Sequence, residues 1–362
     1  MNRYKKYSIL FLFLFLSIVL FHNIVWYSIT SKVVIDNITY KGDLARNIYK
    51  LDSLHLRPSY IPEYKVNLEK KHKQLYLWEK GQKVDLVTIG DSFSNADTQG
   101  VNPFYQDYIA TYQNLNVLNI PRHVNYTDNF YETILSMINN KILDDINPKY
   151  LLIQSVERFA IERFSKKFDF SIKQEKEKML KGFGQKPFKL DSSLLDNNIF
   201  NNKNFKAFKN NVKFRLNIYG KYSGVYLSEL DQNFFTTKDK NSLLFFHEDL
   251  ENILKTNKKT VKKLNQNLNK LAEILKKKNI KLYFMPVVDK YNLYSKYIVN
   301  NPYPKSQFFE LLRELPKEYE LIDTKKILRE ELEKGVKDLY YSDDTHWSYK
   351  ASEAIVKKVR FE

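Results

Sequence analysis

The chain contains no cysteine, and its 362 residues include only 9 glycines. The lack of cysteine excludes a disulfide scaffold, a thiolate zinc site, an iron–sulfur cluster and a cysteine nucleophile. The low glycine content excludes collagen-like and glycine-rich repeat architectures. The six histidines show neither H-E-x-x-H nor H-x-H spacing. The local sequence therefore predicts neither a metal site nor a cofactor.

The overall composition is typical of a folded protein, with 43% hydrophobic and 28% charged residues. The net charge of +17 results from 59 Lys and Arg against 42 Asp and Glu. Lysine is spread along the whole chain, and no nucleic-acid-binding motif is present, so we expect no nucleic acid partner. A basic surface of this kind suits an anionic glycan or an anionic membrane.

The N-terminus carries an uncharged, mostly apolar run over residues 9–29, and Arg3, Lys5 and Lys6 precede it. A helix of that length spans about 30 Å, the thickness of a hydrocarbon core. The positive charges predict a cytoplasmic N-terminus and a periplasmic, or otherwise extracytoplasmic, main part of the chain. Residues 1–30 are thus predicted to be a cytoplasmic stub and a single-pass signal anchor in the inner membrane. A cleaved signal peptide is the alternative, although the bulky Trp26 and Tyr27 do not suit a small-residue cleavage site.

The rest of the chain shows an alternating α/β pattern. Residues 31–80 are predicted to be a lead-in segment, and residues 81–362 the main domain, with a long insertion at about 160–247. Short apolar runs predict buried strands, and apolar residues three and four apart predict helices, the first of them capped by Asp128. The predicted strands are 83–90, 114–120, 149–156, 281–288 and 319–324, and the predicted helices are 128–142, 261–275 and 348–359. This order favours a parallel sheet with helices on both faces.

Two motifs lie at strand ends of this domain. Ser92 follows the first predicted strand in the sequence Gly-Asp-Ser-Phe-Ser at 90–94, and the stretch Asp-Asp-Thr-His-Trp at 343–347 follows the last. Carboxyl ends of parallel strands meet at one edge, so His346 can accept the proton of Ser92 there. A carboxylate must orient the imidazole, and both Asp344 and Asp343 have a suitable spacing.

These two motifs together resemble the SGNH hydrolase superfamily, and more closely its alginate O-acetyltransferase (AlgX/AlgJ-like) group. The resemblance covers roughly residues 80–160 and 245–360, and here the Asp-x-His stretch follows the serine motif. It implies an SGNH-like (flavodoxin-like) three-layer α/β domain, with Ser92 as nucleophile and His346 as base. It implies Asp344 as the acid because Trp347 completes the Asp-x-His-Trp pattern, whereas the spacing of ordinary SGNH enzymes selects Asp343. Further candidate oxyanion donors or substrate contacts are Asn119, Gln154, Arg158, Lys290 and Trp347.

The resemblance implies a serine-dependent O-acyltransferase, most simply an O-acetyltransferase, that modifies a cell-surface polysaccharide or exopolysaccharide through an acyl-serine. The acyl donor is then expected to arrive through a membrane-bound O-acyltransferase, since acyl-CoA is cytoplasmic. The same residues serve a polysaccharide acetylesterase or a D-alanyl transferase of DltD type. A glycan-binding scaffold without catalysis is a further alternative.

Overall fold

The computed structural model describes residues 3–30, 42–44, 66–95, 102–120, 130–183, 199–221, 223–237 and 240–362. Its strands are β1 Lys73–Gln74, β2 Leu86–Ile89, β3 Val117–Ile120, β4 Tyr150–Val156, β5 Val225–Glu229, β6 Ser242–Phe246, β7 Lys281–Val287 and β8 Glu320–Leu321. Asp128 and most of the predicted lead-in at 31–80 lie outside the described residues.

The α-helices of the described residues are α1 Arg3–Val25, α2 Ser92–Asn95, α3 Tyr105–Tyr112, α4 Phe130–Asn139, α5 Ile142–Ile146, α6 Glu157–Phe164, α7 Lys176–Phe183, α8 Asn202–Arg215, α9 His247–Glu251, α10 Lys258–Lys276, α11 Lys290–Tyr294, α12 Phe308–Arg313, α13 Thr324–Glu333 and α14 Tyr349–Lys358. A π-helical turn, Trp26–Thr30, continues α1. The helices predicted at 261–275 and 348–359 correspond to α10 and α14.

The central sheet has six strands in the order β1-β3-β2-β4-β7-β8, and every neighbouring pair is parallel. Each of the five predicted strands forms one of its members. The strands β2 and β3 are buried along their whole length, as expected for a sheet covered on both faces. Helices pack on it in two groups, α3 with α14 and α13, and α10 with α6 and α12. The predicted α/β fold with a parallel sheet is confirmed.

The strand order places β2 at the point where the chain changes direction across the sheet. From β2 the chain passes to β3 on one side and then to β4 on the other. Loops at the carboxyl ends of the strands separate at such a point and leave a crevice, which is where open α/β sheets bind ligands. The segment that begins at Ser92 leaves β2 at this position.

The predicted insertion at 160–247 contains α7, α8 and the antiparallel pair β5–β6, which the sequence pattern did not predict. Leu44, Phe214, Val225 and Leu244 form a small core of their own beside the main one. The insertion is therefore tied to the short N-terminal stretch 42–44 as well as to the sheet.

Among the residues that the structure describes, one helix is long and apolar enough to cross a membrane, namely α1 with its continuation to Ile29, and only 11% of its most apolar part is buried in the protein. Its length and composition suit a signal anchor near the N-terminus, as predicted. Trp26 is buried and Tyr27 is exposed, so only Tyr27 of this aromatic pair faces the surroundings.

Candidate active site

Asp91 holds the turn that presents Ser92. Its buried carboxylate accepts hydrogen bonds from the backbone N–H of Val156 (2.7 Å) and the amide of Gln154 (2.7 Å), and it forms an ion pair with Arg163 (2.6 Å). Burial alone would raise the pKa of Asp91, but the Arg163 charge and these hydrogen bonds outweigh it and lower the pKa. An ionised Asp91 therefore ties the end of β2 to the end of β4.

Gly90 allows the closest approach within this turn. A Cβ at this position would overlap Ser94 Oγ and the side-chain oxygen of Gln154. That oxygen also accepts hydrogen bonds from the backbone N–H of Asp91 (3.1 Å) and from Ser94 Oγ (2.8 Å). The residue before the nucleophile turn must therefore lack a side chain. Ser92 itself is only partly buried, and as the first residue of α2 its N–H has no acceptor within the helix.

Hydrogen bonds from the buried Lys290 fix the loop that carries His346. This lysine is 1% exposed, and its ammonium donates to the carbonyl oxygens of Tyr341 (2.7 Å), Ser342 (2.9 Å) and Asp344 (3.1 Å). Burial lowers the pKa of Lys290 to about 8, against the nearby charge of Asp343 and other carboxylates. Lys290 thus holds the loop through its backbone.

Ser92, His346 and Asp344 form one hydrogen-bonded chain. Ser92 Oγ lies 2.6 Å from His346 Nε2, and His346 Nδ1 lies 2.6 Å from Asp344 Oδ1. The carboxylate also accepts from the backbone N–H of His346 at 2.9 Å. This network assigns the proton to Nδ1 and leaves Nε2 free to accept from the serine. The arrangement has the geometry of a nucleophile, a base and an orienting acid.

The electrostatics of this hydrogen-bonded chain make His346 a stronger base than a free imidazole. Burial would raise the pKa of Asp344, but the His346 charge and hydrogen bonds lower it below its usual range. Burial would lower the pKa of His346, but the Asp344 carboxylate, and with it Asp43, raises it. Asp344 is therefore ionised at neutral pH, and its carboxylate is placed where it can stabilise a protonated imidazole.

Asp343, the other predicted acid, points elsewhere. Its Oδ2 accepts a hydrogen bond from the backbone N–H of Gly42 at 3.0 Å. Burial, reinforced by the Asp344 charge, raises its pKa to about 7. Within the described contacts it is Asp344, and not Asp343, that meets the imidazole.

Asp43 is a second carboxylate beside the imidazole, at 3.8 Å from His346 Nδ1. It accepts hydrogen bonds from Thr345 N (2.7 Å) and Thr345 Oγ1 (2.5 Å), and its own N–H donates to Asp344 Oδ2 (3.1 Å). Burial and the Asp344 charge raise its pKa. Sequence reasoning placed 42–46 in the lead-in segment and missed this role. A Gly-Asp pair about 300 residues from the histidine gives no local signal.

The predicted strand-end donors are engaged inside the protein. Asn119 is fully buried and bonded to Thr88 and Gln74, while both ends of the Gln154 amide hold the Ser92 turn. Arg158 joins Asp249 (3.2 Å) and Asp289 (2.8 Å). That any of them stabilises an oxyanion or contacts substrate stays a prediction. The contacts described assign them to the framework of the site.

Arg158 connects three elements next to the site, namely the ends of β4 and β7 and the helix α9. Burial and the Asp249 charge raise the pKa of Asp289 well above its usual range, and burial raises that of Asp249 to about 6. The adjacent Glu157 accepts hydrogen bonds from Asn292 and Ser306. This buried polar network fixes the position of α11, whose first residue is Lys290.

Aromatic rings support the imidazole from the side. Phe93 lies 4.7 Å from His346 between ring centroids, and Trp347 meets Phe93 edge-on at 4.9 Å. Trp347 is 2% exposed, so it packs behind the histidine rather than facing the crevice. Its predicted contact with substrate stays a prediction.

Asp43, Asp344 and His346 are close enough to be considered as metal ligands, with one atom of each within 4.8 Å of the others. The donor atoms are already engaged, since His346 Nδ1 faces Asp344 Oδ1 and Thr345 holds Asp43. A hydrogen-bonded pair of this kind fits an orienting role better than a shared cation.

Residues 239–360 match a family model described as the SGNH hydrolase-like domain of acetyltransferase AlgX. A search of curated proteins finds no significant match. The matched region covers about a third of the chain and contains His346, Asp344 and Lys290, while Ser92 lies before it. The predicted resemblance to the SGNH and AlgX-like group is thereby confirmed, and the pairing of Ser92 with this domain comes from the geometry.

Proposed function

We propose that this chain is a membrane-anchored, extracytoplasmic O-acyltransferase, most simply an O-acetyltransferase, that acts on a cell-surface polysaccharide. The observation that carries the proposal is the line from Ser92 Oγ through His346 to Asp344, with 2.6 Å at each step. The AlgX-type match over 239–360 supports acyl transfer as the class of reaction.

In the first half-reaction, Ser92 Oγ attacks the carbonyl carbon of an acyl ester as its proton passes to His346 Nε2. Asp344 stabilises the imidazolium, and the Ser92 N–H is the candidate donor to the oxyanion. The tetrahedral intermediate collapses, the bond to the leaving oxygen breaks, and His346 returns the proton to that oxygen. Ser92 is left as an acyl ester.

In the second half-reaction, a sugar hydroxyl takes the place of the leaving group. His346 accepts its proton, the sugar oxygen attacks the acyl-serine, and the proton returns to Ser92 Oγ. Transfer to water by the same route is ester hydrolysis, so the acceptor decides whether the outcome is transfer or esterase activity.

The location and the acceptor rest on charge and on the apolar helix. Arg3, Lys5 and Lys6 precede the apolar run and favour a cytoplasmic N-terminus, which puts the domain outside. Acyl-CoA is absent there, so a membrane-bound O-acyltransferase is the proposed source of the acyl group. The net charge of +17 favours an anionic glycan as the acceptor.

The test uses the full chain in detergent with an activated acetyl ester and a panel of oligosaccharides. Mass spectrometry follows acetylated sugar and free acetate, beside Ser92→Ala as a matched control. Acetylated sugar that requires Ser92 supports the proposal and identifies the acceptor. Acetate without acetylated sugar indicates an esterase. Glycan binding without turnover, equal in both proteins, supports a scaffold and overturns the proposal.

A further inference from the structure

Exposed apolar side chains concentrate in one short stretch of the insertion. Outside α1 and the turn that continues it, the described residues contain nine exposed large apolar side chains. Five of them lie between residues 200 and 218: Phe200 (54%), Phe205 (53%), Phe208 (46%), Leu216 (65%) and Ile218 (41%). A patch of this kind on a soluble surface marks an interaction site.

The helix α8 has a buried face and an exposed apolar face. At 3.6 residues per turn, Asn204, Ala207, Asn211 and Phe214 share one face, and all four are buried in the protein. Phe205, Phe208, Val212 and Leu216, at steps of three, four and four, share a second face, which is exposed apart from the half-buried Val212. Helices that lie in a membrane interface place a stripe like this in the acyl boundary.

Basic residues border the exposed stripe. Lys206, Lys209 and Lys213 follow it on one side, and Arg215 lies on the other. Lys206 and Lys209 are exposed, and long basic side chains can extend from an apolar surface to reach anionic headgroups. The charge of this surface is thus complementary to an anionic bilayer.

The apolar stripe is continuous with the candidate membrane helix. Phe205 stacks on Phe21 with ring centroids 4.9 Å apart, and Phe208 meets Phe21 edge-on at 5.5 Å. The amide of the buried Asn204 lies 3.0 Å from His22 Nδ1. The helix α8 therefore sits directly against the C-terminal part of α1.

The depth of this contact fits an interfacial helix. Phe21 lies eight residues before Ile29, the last apolar residue of the run, which is about 12 Å along a helix. Amphipathic helices in a bilayer interface bury their apolar face by about 5–10 Å. If α1 spans the membrane, Phe205 and Phe208 reach a comparable depth.

We propose that α8 and the chain up to Ile218 lie in the outer interface of an anionic phospholipid bilayer. Phe205, Phe208 and Leu216 enter the acyl boundary, and the exposed Lys206 and Lys209 contact headgroups. The domain is then held to the membrane at two places, α1 and α8, which fixes the orientation of Ser92 relative to the bilayer. This inference requires α1 to be a membrane anchor and does not depend on the chemistry proposed for Ser92.

The absence of cysteine permits a site-specific test on the full chain. Leu216→Cys and Phe208→Cys are each labelled with an environment-sensitive fluorophore and reconstituted in vesicles of three parts phosphatidylcholine and one part phosphatidylglycerol. Leu254→Cys is the matched control, because Leu254 is 82% exposed and lies in a separate turn, Asn252–Lys255. Quenchers carried on lipid acyl chains and iodide in water then report the surroundings of each probe.

The proposal predicts blue-shifted emission and strong quenching by the lipid-borne quencher at 216 and 208, with water-like emission and iodide quenching at 254. Replacing phosphatidylglycerol by phosphatidylcholine should weaken lipid quenching at residue 216 several-fold. The double substitution Lys206→Glu and Lys209→Glu should have the same effect. Water-like emission at 216 and 208 would overturn the proposal. A probe at 216 shielded from both quenchers would also overturn it, because that result indicates a protein partner or a second copy.

Discussion

Substitution of Asp344 by asparagine tests the assignment of the acid in atomic detail. In the native site Oδ1 of Asp344 accepts from His346 N and Nδ1, and Oδ2 accepts from Asp43 N. Every neighbour of the carboxylate in this set is a donor. In Asp344→Asn one oxygen becomes an NH₂ group, which must therefore face a donor in either orientation.

The two orientations of the asparagine impair the base in different ways. If its NH₂ faces Asp43, two donors meet and the loop carrying His346 loses a hydrogen bond. If it faces His346, it donates to Nδ1 and moves the imidazole proton to Nε2, which can then no longer accept from Ser92. Loss of the correct tautomer lowers kcat by about 10³–10⁴-fold, or about 4–5.5 kcal/mol in the barrier.

Asp343→Asn is the matched control. Asp343 Oδ2 accepts from Gly42 N, and an asparagine oxygen accepts the same bond. With a pKa of about 7, the native side chain is also partly neutral already at neutral pH. We expect kcat/KM to fall by less than about tenfold, a change below about 1.4 kcal/mol.

The assay is hydrolysis of an activated acetyl ester by the full chain, with thermal unfolding recorded for each protein. An equal loss in both variants at equal stability, or a larger loss in Asp343→Asn, would refute the assignment of Asp344.

Three further predictions follow from the same contacts. Asp43→Asn removes a charge that raises the pKa of His346, so the acidic limb of kcat/KM should move to lower pH. Asp338→Asn, which removes the charge from an equivalent carboxylate–threonine pair elsewhere, should leave the limb in place. Folded Asp343 keeps its proton up to about pH 7, whereas the unfolded chain releases it near pH 3.8, so the stability of the native state should decline as the pH rises across that window. Asp343→Asn should remove this decline. A melting temperature that falls equally in both proteins between pH 5 and 8 would contradict this reasoning. Gly90→Ala should cost about 1–3 kcal/mol of folding stability in denaturant titration, because the added methyl group overlaps the neighbouring side chains, and an unchanged midpoint would contradict that packing.

The sequence predicted the parts of the fold that local pattern determines. The runs at β4 and β7 are mostly apolar because both faces of the sheet are covered, and the apolar spacing in α10 follows its buried face. The strands β1 and β8 have only two residues each, and each pairs with a longer strand, β1 with β3 and β8 with β7. β8 was predicted from its apolar context and β1 was not. The pair β5–β6 was missed because it lies within an insertion rich in lysine and asparagine.

The candidate site was predictable in its residue types and not in its pairings. Ser92 follows β2, so fold class alone places it at the carboxyl edge of the sheet. His346 was also expected after the last strand, but it lies on the loop between α13 and α14. The choice between Asp343 and Asp344 depends on how the loop turns above Lys290, which spacing does not specify. The contribution of Asp43 depends on a contact between distant parts of the chain, with Gly42 packed against Asp343. Buried amides such as Gln154 resemble oxyanion donors in sequence, and only their hydrogen-bond partners place them in the framework.

The central claim is that Ser92 carries the acyl group, and peptide mass mapping during turnover tests it most directly. The full chain is mixed with an activated acetyl ester, quenched in acid within the first turnover and digested for peptide mapping. We predict a mass increase of one acetyl group on the peptide that contains Ser92, absent in Ser92→Ala and strongly reduced in His346→Ala. Turnover that proceeds with no acetyl group on that peptide, or with equal labelling in Ser92→Ala, would contradict the account.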